Sequence, residues 1–393
     1  MRRRRFPACR KIVARVVNFI ENWYYVKMRS EKILICYNEP VGIYENYSGK
    51  VPVNGSMVED TSDPGLTAQV SDIQKILQQR FEQVECLPFS RDFAKALRRI
   101  LQLAPDIILN FVEALEGDTN FEGHIAGAFE ILDIEFTGNK ALTLGNCLSK
   151  LKTKQILRSL GVRTPRYTMA RLSKKLQEAD LKLKFPLILK LNKEDASIGI
   201  SENSVVSDFA SLQAQLDFLF RTFRQDVLVE ECLPGREISA AILGDRVLPL
   251  SEISYAELPG HLPRIVTYEA KWAPHSPYYI GTVPVCPAEV DEPLRALIEK
   301  TALAAFNALD CRDYARVDFR LSKRDIPHVI DVNPNPDLSP EAGFIRSASH
   351  AGISYEEVLF SLVDFALQRS TASGRSIPER RKHLEIYLQE LKG

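Results

Sequence analysis

The sequence predicts an α/β protein that turns α+β in its later lobes, and three observations carry that prediction. Short, continuously apolar runs alternate with helical spacings from residue 32 to about residue 110, the pattern of a doubly wound parallel sheet. After Thr164-Pro165 the apolar runs pair across polar turns instead, as antiparallel strands do. At 393 residues the chain exceeds what one simple core serves, so two to three domains are expected.

Composition bounds the function classes. Apolar residues at 45% and charged ones at 26% are ordinary for a soluble globular protein. Basic and acidic side chains balance at 51 each, so no nucleic acid or other polyanion is implied as a partner. The 7 cysteines include no C-x-x-C pair, which points to reduced thiols and a cytoplasmic setting. No apolar run approaches the length of a membrane span, so no membrane partner is expected. Residues 1–30 begin with Met1-Arg2-Arg3-Arg4-Arg5-Phe6 and continue into a basic amphipathic stretch that Arg15 interrupts. They read as an extension, helical or disordered, without a secretory signal.

In chain order, Lys32 to Tyr37 reads as the first buried strand, and a long polar segment follows to about Gly65. Leu66, Val70, Ile73, Ile76 and Leu77 then give a helical stripe. A strand at Gln83–Leu87, a helix at Arg91–Leu103 and a strand at Ile107–Leu109 complete the β/α alternation. Glu122-Gly123-His124 opens the next helix, where His124 fits a structural hydrogen bond better than catalysis. A further helix is expected around Asn146 to Leu160.

Phe185 to Leu191 is a strand with Lys190 inside an apolar run. Lysines are rarely buried without a partner, so Lys190 either reaches solvent or meets a phosphate. A polar loop from Asn192 to Ser201 follows; neither a Walker A loop nor G-x-G-x-x-G is present. A helix through Leu212, Leu216 and Leu219 leads to an apolar strand ending Glu230-Glu231-Cys232-Leu233-Pro234-Gly235-Arg236-Glu237, a hinge between lobes. Strands at Glu237–Leu243 and Val247–Ser254 form a meander, residues 288–309 an amphipathic helix, and helices at Tyr355–Leu367 and Pro378–Leu391 close the chain.

The most informative stretch runs from Tyr314 to Gly343. Ala315 to Leu321 and Pro327 to Asn333 are two apolar runs with alternating polar positions around the turn Ser322-Lys323-Arg324-Asp325, an antiparallel hairpin. Arg316, Asp318 and Arg320 share one face, and Asp331 and Asn333 share a face of the second strand. Two carboxylates and an amide oxygen beside a guanidinium, set among core residues, suit Mg²⁺ carried by a polyphosphate.

With its Arg-Val-Asp strand followed by Asp-Val-Asn-Pro-Asn-Pro, the chain resembles the ATP-grasp ligases, most closely the D-alanine–D-alanine ligase family, over roughly residues 100 to 368. The resemblance implies five segments: the extension 1–30, an α/β domain 31–145, a small lobe 146–235 with a phosphate loop, a large lobe 236–370 with the metal site, and a C-terminal helix 371–393. It implies ATP and Mg²⁺ as cofactors, with Asp318, Asp331 and Asn333 as metal ligands. Lys150, Lys190 and Ser197 would hold phosphates, and Lys271 in the lid segment Thr267–Trp272 would neutralise the transferred one. Glu230, Glu231, Cys232 and Leu233 would line the adenine site, Glu230 meeting the adenine amino group or a neighbouring lysine. Glu237 would take the ribose, and Arg316 would stabilise the oxyanion.

Departures from the family pattern fall mostly on the substrate pocket. Asp331 stands where a glutamate is usual, one methylene shorter. Asp337 replaces a glycine, Ala342 a serine, and Ala196 with Trp272 a hydrogen-bonded serine–tyrosine pair. The family's N-terminal glutamate has no match near Tyr37 to Pro40. These changes lead us to expect a carboxylate–amine ligase acting through an acyl phosphate on a small-molecule acid and amine other than D-alanine. The alternatives are D-alanine–D-alanine ligation itself and nucleotide binding without ligase activity. Family members often pair through the first domain, which implies a homodimer.

Overall fold

A computed structural model describes residues 28–39, 50–53, 56–59, 66–372 and 377–390. The extension assigned to residues 1–30 therefore lies almost wholly outside the described residues.

The first sheet is parallel, with strands ordered Phe81–Phe89, Arg29–Asn38, Ile107–Phe111 and Glu135–Phe136. Ile33 and Ile35 pack on one face and Leu34 and Cys36 on the other, so both faces are dry and the run reads as continuously apolar. Helix Leu66–Leu77 covers the first face together with Tyr355–Ala372, which arrives from the far end of the chain. Helices Phe93–Leu103 and Glu122–Ile131 cover the other, joined by Ile377–Glu390, whose Leu384 is buried there. Arg381 pins this last helix through an ion pair to the buried carboxylate of Asp106. Within the long polar segment, Lys50–Val53 and Ser56–Glu59 pair as a small antiparallel ribbon, which the sequence pattern did not reveal.

The second sheet is antiparallel, ordered Tyr167–Ala170, Val227–Glu231, Leu187–Leu191 and Val205–Val206, and helix Phe209–Phe223 packs on it. The third runs Val283–Val285, Ser251–Ser254, Glu237–Leu243, Tyr314–Leu321 and Pro327–Asn333, with Arg246–Val247 beside Glu237–Leu243. Helix Glu292–Ala308 seals its outer face through Ile298, Ala302 and Ala305.

Two expected elements are divided. The helix expected around Asn146 to Leu160 is two, Ala141–Leu148 and Lys150–Ser159, because Ser149 leaves helical geometry to cap the second by accepting from Lys152 N–H. The strand expected at Val247–Ser254 is broken by Pro249, which offers no N–H to a ladder.

Pro234-Gly235 joins the second and third sheets. Gly235 N–H donates to Leu321 C=O at 3.0 Å, and a Cβ on Gly235 would stand 2.3 Å from that oxygen. Only glycine lets the connection lie this close to the strand Tyr314–Leu321.

Candidate active site

A cavity of about 400 Å³ opens between the second and third sheets. Its size falls in the range of small-molecule sites. The late hairpin forms one wall. Asp318 lies directly across from Asp331, and Arg316 across from Asn333. The register slips by one residue after Asp318, so that Phe319 meets Val329 and Ile330 is left over as a bulge. Val329 and Val332 consequently stay in the core while Ile330, Asp331 and Asn333 all line the cavity. The two acidic side chains of the hairpin thus face the same space.

Both carboxylates carry cations. Arg316 binds Asp318 through two bonds of 2.8 Å, from Nε and Nη2, and this carboxylate raises the guanidinium's pKa above its ordinary value. Lys150 Nζ donates to Asp331 Oδ2 at 3.3 Å and to Asp195 Oδ1 at 3.0 Å. Burial would raise Asp331, but Lys150, Lys190 and Lys154 overrule it and hold the carboxyl below the usual range. Lys150 is buried too, yet its two acidic partners raise it. Asn333 Oδ1 accepts from Asn335 N–H, which fixes the amide beside the carboxylates.

The opposite wall belongs to the second sheet. Glu230 is 1% exposed and lies 2.6 Å from Lys154 Nζ and 3.0 Å from Lys190 Nζ. Two ammonium groups hold its pKa down despite burial, so this carboxylate is ionised. Of its two expected partners, adenine or a lysine, the structure gives it the lysines. Lys154 is the member that sequence reading missed. It is 2% exposed and also donates to Ile330 C=O, tying helix Lys150–Ser159 to the hairpin. Its position four residues after Lys150, on the same helical face, was the available signal. Burial and the neighbouring Lys190 lower its own pKa.

At the hinge the side chains alternate. Glu231 lines the cavity while its carboxylate accepts from Lys184 N–H and Arg166. Cys232 N–H is taken by Pro186 C=O, and Leu233 C=O accepts from Arg320 Nε. Arg320, which the alternation places on the face of Arg316 and Asp318 without giving it a role, also donates to Glu237 Oε2 at 2.6 Å, and Tyr255 OH donates to that same oxygen at 2.8 Å. Glu237 is thereby positioned along the cavity wall.

The loop expected to carry phosphate contacts is held in an unusual backbone. Ala196, Ser197 and Gly199 all have positive φ, at 51°, 62° and 75°. Such turns cup backbone N–H groups into an anion-accepting concavity, and Ala196 and Ser197 line the cavity. Lys271 lines it from the short helix Tyr268–Trp272, which Thr267 caps. Burial and then Arg316 lower its pKa, although Lys271 is open to water through the cavity.

Asp337, Ala342 and Trp272 are not among the cavity-lining residues. Asp337 is folded onto Ser339, accepting from its N–H at 2.7 Å and its hydroxyl at 2.9 Å. Ala342 occupies the N-cap of helix Gly343–His350 and gives it no side-chain bond. Trp272 packs on Tyr268, against which Ile198 and Phe223 of the neighbouring lobe also pack. The lid and the loop therefore meet through apolar surface, supported by Tyr268 N–H donating to Ile200 C=O. His124 makes a contact of 2.7 Å with Asn120 C=O at the surface, in keeping with a structural role.

Two lobes of antiparallel sheet closing on a cavity of paired lysines and carboxylates define the ATP-grasp class of ligases. The crystal structure of D-alanine–D-alanine ligase from Bacillus anthracis complexed with ATP has this fold, with a TM-score of 0.65 at 24% identity, covering 88% of this chain and 99% of that one. The family model described as D-ala D-ala ligase C-terminus matches residues 156–364. D-alanine–D-alanine ligase from Nitrosospira multiformis is 32% identical over 64% of this chain and 78% of its own length. An uncharacterised protein, y4sG, of Sinorhizobium fredii is 33% identical over 68% and 76%. The chain belongs to the D-alanine–D-alanine ligase family, and is an ATP-dependent ligase that forms a carbon–nitrogen bond between small molecules. Nucleotide binding without ligase activity is set aside by that membership. Among the described residues no helix is long and apolar enough to cross a membrane.

Proposed function

We propose that this ligase joins one D-alanine to another, the activity for which its named relatives are called, and that it does so with Mg²⁺-ATP bound in the cavity between the sheets. The observation that carries the site assignment is the cross-strand pair Asp318–Asp331, with Arg316 and Asn333 opposite one another one step along. Two carboxylates and an amide, all hard oxygen donors on one wall, fit Mg²⁺. Bound there, the ion would neutralise charge on the phosphates. Arg316 and Lys150 would release part of their hold on Asp318 and Asp331 to the metal and turn to the substrate.

On this reading Lys150, Lys190 and the amides around Ser197 hold the phosphates, and Lys271 steadies the one being transferred. The backbone from Glu231 to Leu233 borders the adenine, and Glu237 meets the ribose. Arg316, always charged and fork-shaped, would face the oxyanion that forms as the amine attacks the activated carboxyl carbon. These tasks are positioning and charge stabilisation, which is most of what phosphoryl transfer requires of a protein. The described cysteines are all free thiols, which supports a reducing compartment such as the cytosol.

A second reading, an acid and an amine other than D-alanine, is favoured by one specific feature: Asp337 introduces a carboxylate, bonded to Ser339, where the family pattern has none. ADP release from Mg²⁺-ATP with D-alanine alone, together with mass spectrometry of the product, separates the two. Formation of D-alanyl-D-alanine supports the first. Absence of turnover with D-alanine, but turnover with another acid and amine, supports the second.

A further inference from the structure

We propose that Arg346 is the group that binds the unreacted carboxylate of the amine-donating substrate, and that Thr282 supports it from the neighbouring wall of the cavity. The inference rests on the reading above that both substrates are amino acids. The first loses a carboxylate oxygen to phosphate, whereas the second attacks through nitrogen and carries its carboxylate into the product unchanged. That carboxylate needs a cation that is not occupied by phosphate.

The charges along the cavity identify one. Lys150 is paired with Asp195 and Asp331, Lys190 with Glu230, Arg316 with Asp318, and Arg320 with Glu237. Lys271 and Arg346 are the two lining cations without a carboxylate partner among the described residues. Lys271 lies among the charges of Arg316, Asp318, Asp331 and the loop residue Asp195, on the side where the reading above puts the phosphates. Arg346 lies elsewhere. Among the described residues its guanidinium makes one hydrogen bond, from Nη2 to the neutral carbonyl of Glu341 at 2.9 Å, and the hydroxyl of the adjoining Ser347 lies 3.8 Å from Sγ of Cys286, next to the strand Val283–Val285. That strand is at the opposite edge of the third sheet from Asp331.

The helix that carries Arg346 aims it at the cavity. Phe344, Ile345 and Ala348 are buried in the core beneath the first sheet, so Gly343 and Arg346, one turn apart, are left to line the cavity. Independently, Thr282 lines the same cavity, is 8% exposed, and its hydroxyl has no hydrogen-bond partner among the described residues. A buried hydroxyl left without a partner is costly, and a ligand oxygen would satisfy it. A guanidinium with no carboxylate partner and a hydroxyl with no partner, both among the described residues, are a suitable pair for a carboxylate.

The test is steady-state ADP release with Mg²⁺-ATP in wild type, Arg346→Gln, Arg346→Lys and Thr282→Val. We expect Arg346→Gln to raise the KM for the attacking D-alanine at least about tenfold, with kcat at saturation and the KM for ATP nearly unchanged. Arg346→Lys should recover part of the loss, and Thr282→Val should shift the same KM by about threefold. Wild type should prefer D-alanine to D-alaninamide as the attacking amine, and Arg346→Gln should lose that preference. An unchanged KM and an unchanged preference in Arg346→Gln would overturn the inference. If wild type does not turn over D-alanine, the D-alanine reading fails by itself. Arg346 is then judged by thermal shift, with Mg²⁺ and a non-hydrolysable ATP analogue present and a panel of amino acids and their amides added. Carboxylate-dependent stabilisation lost in Arg346→Gln supports the inference; equal responses, or none in wild type, reject it.

Discussion

The two ends of the cavity are built on different principles. Around Glu230 the charges are buried and interlocked: Lys154, Lys190 and Glu230 lie almost wholly out of water, and Lys150 joins Asp331 of the hairpin. Around residues 337–346, of which Gly343 and Arg346 line the cavity, the side chains are loosely held: Asp337 accepts from Ser339, Ala342 gives its helix no side-chain bond, and the Arg346 guanidinium donates to a single carbonyl. A buried ionic network tolerates little change, since removing one partner strands the other without water. An open rim of singly bonded groups can change one residue at a time. The difference fits where the departures from the family pattern fall: Asp337, Ala342, Ala196 and Trp272 all lie outside the lysine–carboxylate network, which is touched only by the shorter arm of Asp331.

Several measurements would sharpen or break this contrast. The largest effect is expected from Arg316→Ala, which removes the proposed oxyanion donor: kcat should fall by at least about a hundredfold with the melting temperature little changed. Survival of most activity would show that the guanidinium serves only Asp318. Glu230→Ala comes next. It leaves two buried ammonium groups uncompensated and should cost about 3 kcal/mol or more in chemical denaturation. A loss below about 1 kcal/mol would mean that the network is wetter than its burial implies.

Much of this was legible in the sequence, for reasons that differ by region. The parallel sheet announced itself because both faces of Lys32 to Tyr37 are dry and the run is apolar throughout. The hairpin could be read because period-two alternation puts Arg316 and Asp318 on one face. The bulge at Ile330 could not, as one extra residue leaves no mark on composition. Lys154 escaped notice for another reason: a lysine on an amphipathic helix looks like surface until the strand bearing Glu230 is known to lie against it. Arg346 and Thr282 belong to separate segments that only the tertiary fold brings to one cavity.

Acid should distinguish the two ends again. Glu230 and Asp331 have folded pKa values below their ordinary ones of 4.5 and 3.8. Their contribution to stability is complete above those values and is lost as pH falls through the lower folded ones. Denaturation midpoints should therefore decline below about pH 4 in wild type, and less steeply in Glu230→Gln; parallel curves would contradict the assignment. The smallest effect is expected from Trp272→Leu. It keeps the contact between lid and loop apolar, and should change the KM for ATP by no more than about threefold.

The central claim is that Mg²⁺-ATP binds against the hairpin through Asp318, Asp331 and Asn333. Calorimetric titration of a non-hydrolysable ATP analogue, with and without Mg²⁺, into wild type and Asp318→Asn tests it most directly. The account predicts that Mg²⁺ tightens binding to wild type at least about tenfold and has little effect on the variant. Equal enhancement by Mg²⁺ in both proteins would contradict it.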